Sequence, residues 1–172
     1  MAASGPQVVL KRDTKKYEPV FVAAPKTAWS YIGWLGLVLA VSGGVDIALR
    51  WYPLAFKSPE WEFGTVGITV GTLPLFAIGL VLLLAASLAR ASSLGVSVMS
   101  AVFGVMAVFL AGALLVFLLD VPLALRPDNP AIRLEIKKTI ARTLIVGGAF
   151  EALFIGCAVV SIRYILRRVK DA

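Results

Sequence analysis

Two carboxylates lie inside long apolar stretches of this sequence, and they are the side chains best placed to do chemistry. Glu151 lies near the middle of the last apolar stretch, about 12 Å by helical rise from Thr143 at its start. An ionised carboxylate at the centre of a bilayer costs at least about 2.5 kcal/mol, so it needs a hydrogen-bond donor, a cation or a proton. Glu151 is therefore the first candidate for a functional residue.

Three interpretations of Glu151 are open. It is a neutral carboxyl group hydrogen-bonded to a hydroxyl, a relay for protons or cations, or an axial ligand of a magnesium-centred pigment in a chain without histidine. The first is favoured because a neutral, hydrogen-bonded carboxyl avoids the cost of burying a charge. The candidate hydroxyl partners are Thr69, Thr72, Ser97 and Ser100.

Asp46 lies one turn before the end of the first apolar stretch. Arg50 follows it by four residues, a spacing that allows an ion pair on one face of a helix. Arg142 would enter the membrane at the same level on the last helix and is the rival partner. The main role expected of either ion pair is structural. Asp46 and Glu151 together also suggest an ion pathway.

The composition excludes most catalytic chemistry. The 172 residues include no histidine and one cysteine, which removes imidazole acid–base chemistry, disulfides and cysteine- or histidine-rich metal sites. The sequence also has no glycine-rich phosphate loop and no Gly-x-Ser-x-Gly nucleophile elbow. We therefore expect a protein that is not an enzyme and that holds neither a metal nor a cofactor.

Apolar residues dominate this chain more than they dominate a soluble domain. They make up 59% of it and charged residues 16%, against about 45–50% and about 25% in ordinary soluble domains. A transmembrane helix needs about 20 predominantly apolar residues. Four stretches predict such spans, at about 28–49, 65–89, 94–119 and 139–162. The predicted fold is all-α, a polytopic integral membrane protein with a bundle of four transmembrane helices over residues 28–172.

The connections between these stretches predict a hairpin and a long last helix. Residues 90–93 are too short a link for anything but an antiparallel pair of helices. Pro74, three residues after Gly71, predicts a kink in the second helix. Asn129 and Pro130 are typical of a helix N-terminus, so the last helix is expected to extend beyond the membrane as an amphipathic segment.

Small residues recur at four-residue spacing along the predicted helices. In lipid, such stripes let two backbones approach closely, so that dispersion contacts hold the helices together. The stripes predict packing within this bundle, and they also suit docking against helices of another membrane protein. Their glycines are Gly36 and Gly44 on the first helix, Gly67 and Gly71 on the second, Gly104 and Gly112 on the third, and Gly148 and Gly156 on the fourth.

The segment 50–64 combines aromatic rings, charges and two prolines. Amphipathic rings are enriched at the headgroup level, which predicts an aromatic belt at the membrane interface. Prolines stiffen a loop and lower its ordering cost on binding, so the segment is also a candidate docking surface. Its aromatic residues are Trp51, Tyr52, Phe56, Trp61 and Phe63.

The net charge of +7 is spread over the ends of the apolar stretches and not over one soluble face. This distribution predicts anchoring to anionic headgroups and no nucleic-acid binding. Residues 1–27 form a basic tail without the apolar core of a signal peptide, so the first span is expected to be an uncleaved anchor. Ten of the 17 basic residues lie on the side of the termini, which favours an inner (plasma) membrane protein with both termini in the cytoplasm.

Abundant packing surface without catalytic motifs predicts a non-catalytic accessory, structural or assembly subunit. Its partners would be other membrane proteins or its own copies, and its contacts the glycine stripes and segment 50–64. The alternative is a small transporter or channel that uses Glu151 and Asp46.

Overall fold

The computed structural model describes residues 26–52, 59–126 and 130–170. Within these ranges the chain forms four helices and no strand. Their bounds are Lys26–Trp51 for α1, Pro59–Ala89 for α2, Ser93–Ala124 for α3 and Pro130–Lys170 for α4. Nearly all of the basic tail predicted at 1–27 therefore lies outside the described residues.

Each helix is long and apolar enough to cross a membrane. A helix satisfies its own backbone amides, which is what the hydrocarbon of a bilayer requires of any spanning segment. The candidate spans are Thr27–Trp51, Phe63–Ala89, Ser93–Ala124 and Pro130–Val169. The prediction of an all-α, multi-pass membrane protein with a four-helix bundle is confirmed.

Two helices extend well beyond the apolar stretches that predict them. α2 begins at Pro59, so the second half of the segment 50–64 is helix and not loop. Proline fits the first position of a helix because its φ is already helical and its missing N–H is not needed there. α2 stays helical through Pro74. α4 begins at Pro130 and has 41 residues, about 61 Å by helical rise, twice the hydrocarbon thickness of about 30 Å.

The short connection between α2 and α3 forms the predicted antiparallel hairpin. Ala91 takes a left-handed conformation with φ 52°, which reverses the chain, and Ser92 caps α3 by accepting a hydrogen bond from the Gly95 amide at 3.1 Å. Arg90 donates from Nη2 to the carbonyl of Trp29 at 2.8 Å. The hairpin is thereby tied to the first turn of α1.

α2 is the central helix of the bundle. It packs against each of the other three, whereas α1 packs mainly against α2 and α4 mainly against α3. Aromatic rings fill the core between α2, α3 and α4. Phe63 stacks on Phe117 with ring centroids 4.6 Å apart, and the rings of Phe103 and Phe154 lie 6.0 Å apart. The last three of these phenylalanines are fully buried.

α1 and α2 approach each other through glycines on both helices. A Cβ atom at Gly43 would lie 2.9 Å from the Cα of Phe76, and one at Gly79 would lie 2.8 Å from the Cα of Ala40. Real Cβ atoms essentially never come so close. Gly36 belongs to the same contact, because its Cβ atom would lie 2.9 Å from the carbonyl oxygen of Gly79. The two backbones are therefore in direct contact, which only glycine permits.

We expect Gly43→Val and Gly79→Val to separate α1 from α2. Overpacking costs about 1–3 kcal/mol, and here the colliding atoms belong to a backbone that cannot rotate away. Reversible unfolding of the purified chain in mixed detergent micelles measures the loss as a lower midpoint. Gly112→Val is the matched control, because a Cβ atom there meets nothing within 4 Å. Equal destabilisation by all three substitutions would contradict the close contact.

Candidate functional site

The predicted packing glycines divide into two groups. Gly36, Gly44 and Gly67 lie in helix interfaces: a Cβ atom at Gly44 would meet the Phe76 ring at 3.5 Å, and one at Gly67 the Thr143 hydroxyl at 3.7 Å. The other group has open space where a side chain would stand, with no described atom within 4 Å. Its members are Gly71, Gly104, Gly112, Gly148 and Gly156. The stripes of α3 and α4 are therefore not used to pack this bundle.

Several glycines that make close contacts in this bundle were not among the predicted packing glycines, and Gly43, Gly79 and Gly147 are examples. Gly147, and not Gly148, faces α3, where its Cβ atom would lie 2.7 Å from a methyl carbon of Leu114. Gly43, and not Gly44, makes the closer contact with α2, and Gly79 is not in the Gly-x-x-x-Gly pattern of α2 at all. Adjacent residues point about 100° apart on a helix, so one step along the chain moves a residue from interface to surface.

Glu151 lies on the flank of the contact between α3 and α4. It is one turn from Gly147, which faces Leu114, and three residues from Phe154, whose ring is near Phe103. Its side chain is partly buried. The Oε2 atom is fully buried and accepts no hydrogen bond from any residue that the structure describes. The bundle thus leaves part of this carboxyl group without compensation.

The hydroxyl groups predicted to hold Glu151 do not reach it. Thr69 donates to the carbonyl of Thr65 at 2.7 Å, and Thr72 donates to the carbonyl of Thr69 at 2.9 Å. Both hydroxyls are used within α2, since a threonine in a helix bonds readily to the carbonyl one turn before it. The structure gives no hydrogen bond from Ser97 or Ser100 to Glu151 either.

Asp46 and Arg50 form the first of the two predicted ion pairs. The Nε of Arg50 donates to the Oδ2 of Asp46 at 3.1 Å, and the two side chains remain 38% and 46% exposed. An exposed pair of this spacing contributes only about 0.3–0.5 kcal/mol, in a position where a cation also suits the C-terminal end of α1. Arg142, the rival partner, is on α4, whereas α1 packs mainly against α2.

Arg142 opens instead on a crevice between α2 and α4, with a volume of about 750 Å³. Arg142 belongs to no ion pair in the parts of the chain that the structure describes. The crevice is lined on the α4 side by Thr139, Thr143 and Val146 as well, and on the α2 side mainly by glycines and apolar residues. Arg142 is thus, with Glu151, one of the two predicted polar residues that belong to no ion pair among the described residues.

Trp51 joins three helices near the end of α1. Its indole Nε1 donates to the hydroxyl of Thr69 on α2 at 3.1 Å, and its ring lies 5.4 Å from that of Phe109 on α3. Tyr52, the next residue, is 78% exposed. Neighbouring aromatic residues of the predicted belt thus take different roles, one inside the bundle and one outside it.

The other aromatic residues of segment 50–64 divide in the same way. Phe63 lies inside the bundle against α3. Phe56 and the side chain of Trp61 lie outside the described part of the chain. Within the parts that are described, no group of three or more histidine, cysteine or acidic side chains lies close enough together to hold a metal ion.

We expect Trp51→Phe to destabilise the bundle by about 1 kcal/mol, the usual contribution of one hydrogen bond, since phenylalanine keeps the ring contact and loses the indole donor. Trp51→Ala is expected to cost about 3 kcal/mol or more, because the ring contact goes as well. Unfolding midpoints in mixed micelles measure both changes. The control is Tyr52→Phe at the exposed neighbouring position, and a loss there as large as for Trp51→Phe would contradict the assignment.

Comparison with protein-family models, curated proteins and solved structures finds no match for this chain. Its function must therefore be inferred from the side chains and surfaces of the chain itself. Three features carry that inference: the open glycine faces of α3 and α4, the carboxyl group of Glu151, and the crevice beside Arg142.

Proposed function

We propose that this protein is a non-catalytic accessory or assembly subunit that docks a transmembrane helix of another membrane protein. The docking face consists of the outer surfaces of α3 and α4. The observation that carries the proposal is the open space in front of the glycines of these two helices. They are Gly104, Gly112, Gly148 and Gly156.

The physical argument begins with the cost of glycine in a helix. Each glycine in a helix interior costs about 0.8–1 kcal/mol relative to alanine, and it brings no side chain to any contact within this bundle. Against a partner helix, the same positions allow backbones to approach closely and to gain dispersion contacts. On α4, Gly148, Ala152 and Gly156 follow one another at the spacing that such a contact requires.

Glu151 supports the same face. It lies three residues from Gly148 and next to Ala152, and its carboxyl group makes no hydrogen bond to the described parts of the bundle. In hydrocarbon, an interhelical hydrogen bond stabilises association by about 0.6–2 kcal/mol. The partner that fits therefore combines small residues with a hydrogen-bond donor near the middle of its helix.

The proposed location is the plasma (inner) membrane with both termini in the cytoplasm. The support is the excess of basic residues on the terminal side, where the hairpin residue Arg90 lies against the start of α1. We also infer that the protein is not an enzyme. The ion pair of Asp46 and Arg50 is at one end of the bundle and Glu151 is in the middle of α4, so these polar groups do not converge on one reacting centre.

We expect Gly148→Leu and Gly156→Leu to weaken partner or self-association by roughly tenfold or more, because a large side chain keeps the two backbones apart. The purified variants should unfold like the wild type, since both positions are open within the chain. Cross-linking and native mass after extraction in mild detergent measure the association.

The control for the docking experiment is Gly71→Leu, which places the same side chain in open space on α2. Docking through α4 requires that this variant keep its partners. Partner loss in all three variants, or no loss at Gly148 and Gly156, would refute the proposed face.

A second function, transport of protons or cations, is favoured by one observation, the uncompensated carboxyl group of Glu151 at mid-span. It predicts that the wild type reconstituted in liposomes carries a flux and that Glu151→Gln, which cannot ionise, abolishes it. Asp46→Asn serves as the comparison, because this carboxylate is already paired with Arg50 at the end of α1. Absence of flux in the wild type, or unchanged flux in Glu151→Gln, would eliminate the function.

A further inference from the structure

The crevice between α2 and α4 has the dimensions of one lipid leaflet. α2 and α4 run parallel, because each is antiparallel to α3, with which both pack. The lining of α2 extends over twelve residues from Phe63 to Pro74, and the first and last of them are about 16 Å apart by helical rise. Half of a hydrocarbon core of about 30 Å is about 15 Å. The crevice therefore spans about one leaflet along the bundle.

Most of the lining suits a hydrocarbon chain. The α2 side offers Ile68, Val70 and Pro74 with the open position of Gly71 among them, and the α4 side offers Val146. A Cβ atom at Gly71 would meet nothing within 4 Å, so the groove is not filled by the protein itself. Such a groove on the lipid-facing side of a bundle accommodates an acyl chain by shape and by dispersion contacts.

One cation lies at this crevice without an acidic partner among the described residues. Neither ion pair among the described residues includes Arg142: Asp46 is bound by Arg50, and Glu135 is bound by Lys138 at 2.7 Å. Glu151 is nine residues farther along α4, about 13 Å away by helical rise. An arginine within a membrane span normally pairs with an anion or reaches the interface.

Arg142 lies near the end of α2 at which the candidate span of that helix begins. Its neighbour Thr143 lies against Gly67, four residues or about 6 Å inside the span of α2 that begins at Phe63. Side chains on a helix lean toward its N-terminus, and α4 begins on this side of the membrane. The guanidinium group of Arg142 therefore extends toward the interface, with the apolar groove beneath it.

We propose that this crevice binds one anionic phospholipid. The phosphate pairs with the guanidinium group of Arg142, whose planar donors suit two parallel hydrogen bonds to phosphate oxygens. The acyl chain lies along α2 past Gly71 toward Pro74. This site is independent of the docking face on the outer surfaces of α3 and α4, and it is a property of the single chain.

The test is native mass spectrometry of the purified, delipidated full chain. The probes are phosphatidylglycerol and phosphatidylcholine with identical acyl chains, and inorganic phosphate as a competitor. We expect the wild type to retain one phosphatidylglycerol in preference to phosphatidylcholine.

We expect Arg142→Gln to weaken that retention by roughly tenfold, the size of one lost charge-assisted contact. Gly71→Leu should weaken the binding of both lipids, because the new side chain fills the groove.

Two matched controls separate a site from general attraction. Lys137→Gln removes one exposed cation from the same helix, and Gly112→Leu adds the same side chain at an open position on α3. Both should leave retention of phosphatidylglycerol unchanged. Equal retention of the two lipids, an equal loss in Arg142→Gln and Lys137→Gln, or displacement of the lipid by inorganic phosphate alone would overturn the proposal. Partner association, measured on the same lipid-site variants, tests the docking face independently of lipid binding.

Discussion

Hydrocarbon offers no hydrogen-bond partner, and this constraint governs both the backbone and the polar side chains of the protein. Every described segment longer than a turn is helix, because a helix satisfies its amides internally. The hydroxyl groups follow the same rule. Thr69, Ser87 and Ser161 each donate to the carbonyl four residues earlier, at 2.7–2.8 Å. Polar side chains within the spans are thus mostly satisfied within their own helix, which leaves few of them to specify how the helices meet.

Packing must therefore come from shape, and the bundle uses two kinds of contact. α1 meets α2 backbone to backbone through Gly36, Gly43 and Gly79. α2, α3 and α4 instead enclose large rings, among them Phe103 and Phe154. Dispersion is the main attraction in both cases, since lipid tails remove the hydrophobic driving force between helices. A larger side chain at these glycines would separate α1 from α2, whereas a smaller side chain at the phenylalanines would leave a cavity in the core.

Two ion pairs are present among the described residues, and the two ionisable residues at the candidate sites belong to neither of them. The pairs Asp46–Arg50 and Glu135–Lys138 are local and exposed. Glu151 and Arg142 have no such partner, and each lies beside a surface that the bundle leaves uncovered. Ionisable groups are costly within a membrane span, so one without an internal partner points to something outside the chain. The opposite signs of the two groups suit different ligands, a hydrogen-bond donor for one and a phosphate for the other.

The sequence by itself determined the all-α membrane architecture, the short hairpin and the ion pair of Asp46 with Arg50, because these depend on apolar length and on spacing within one helix. It placed the start of α2 too late, since Glu60 interrupts the apolar run without interrupting the helix. Only the tertiary structure decided that Gly43 and Gly147 make the close contacts, and that no predicted hydroxyl reaches Glu151. These outcomes depend on the rotation of each helix about its axis. Neighbouring helices set that rotation. The sequence does not determine it, because small residues occur on several faces of each helix.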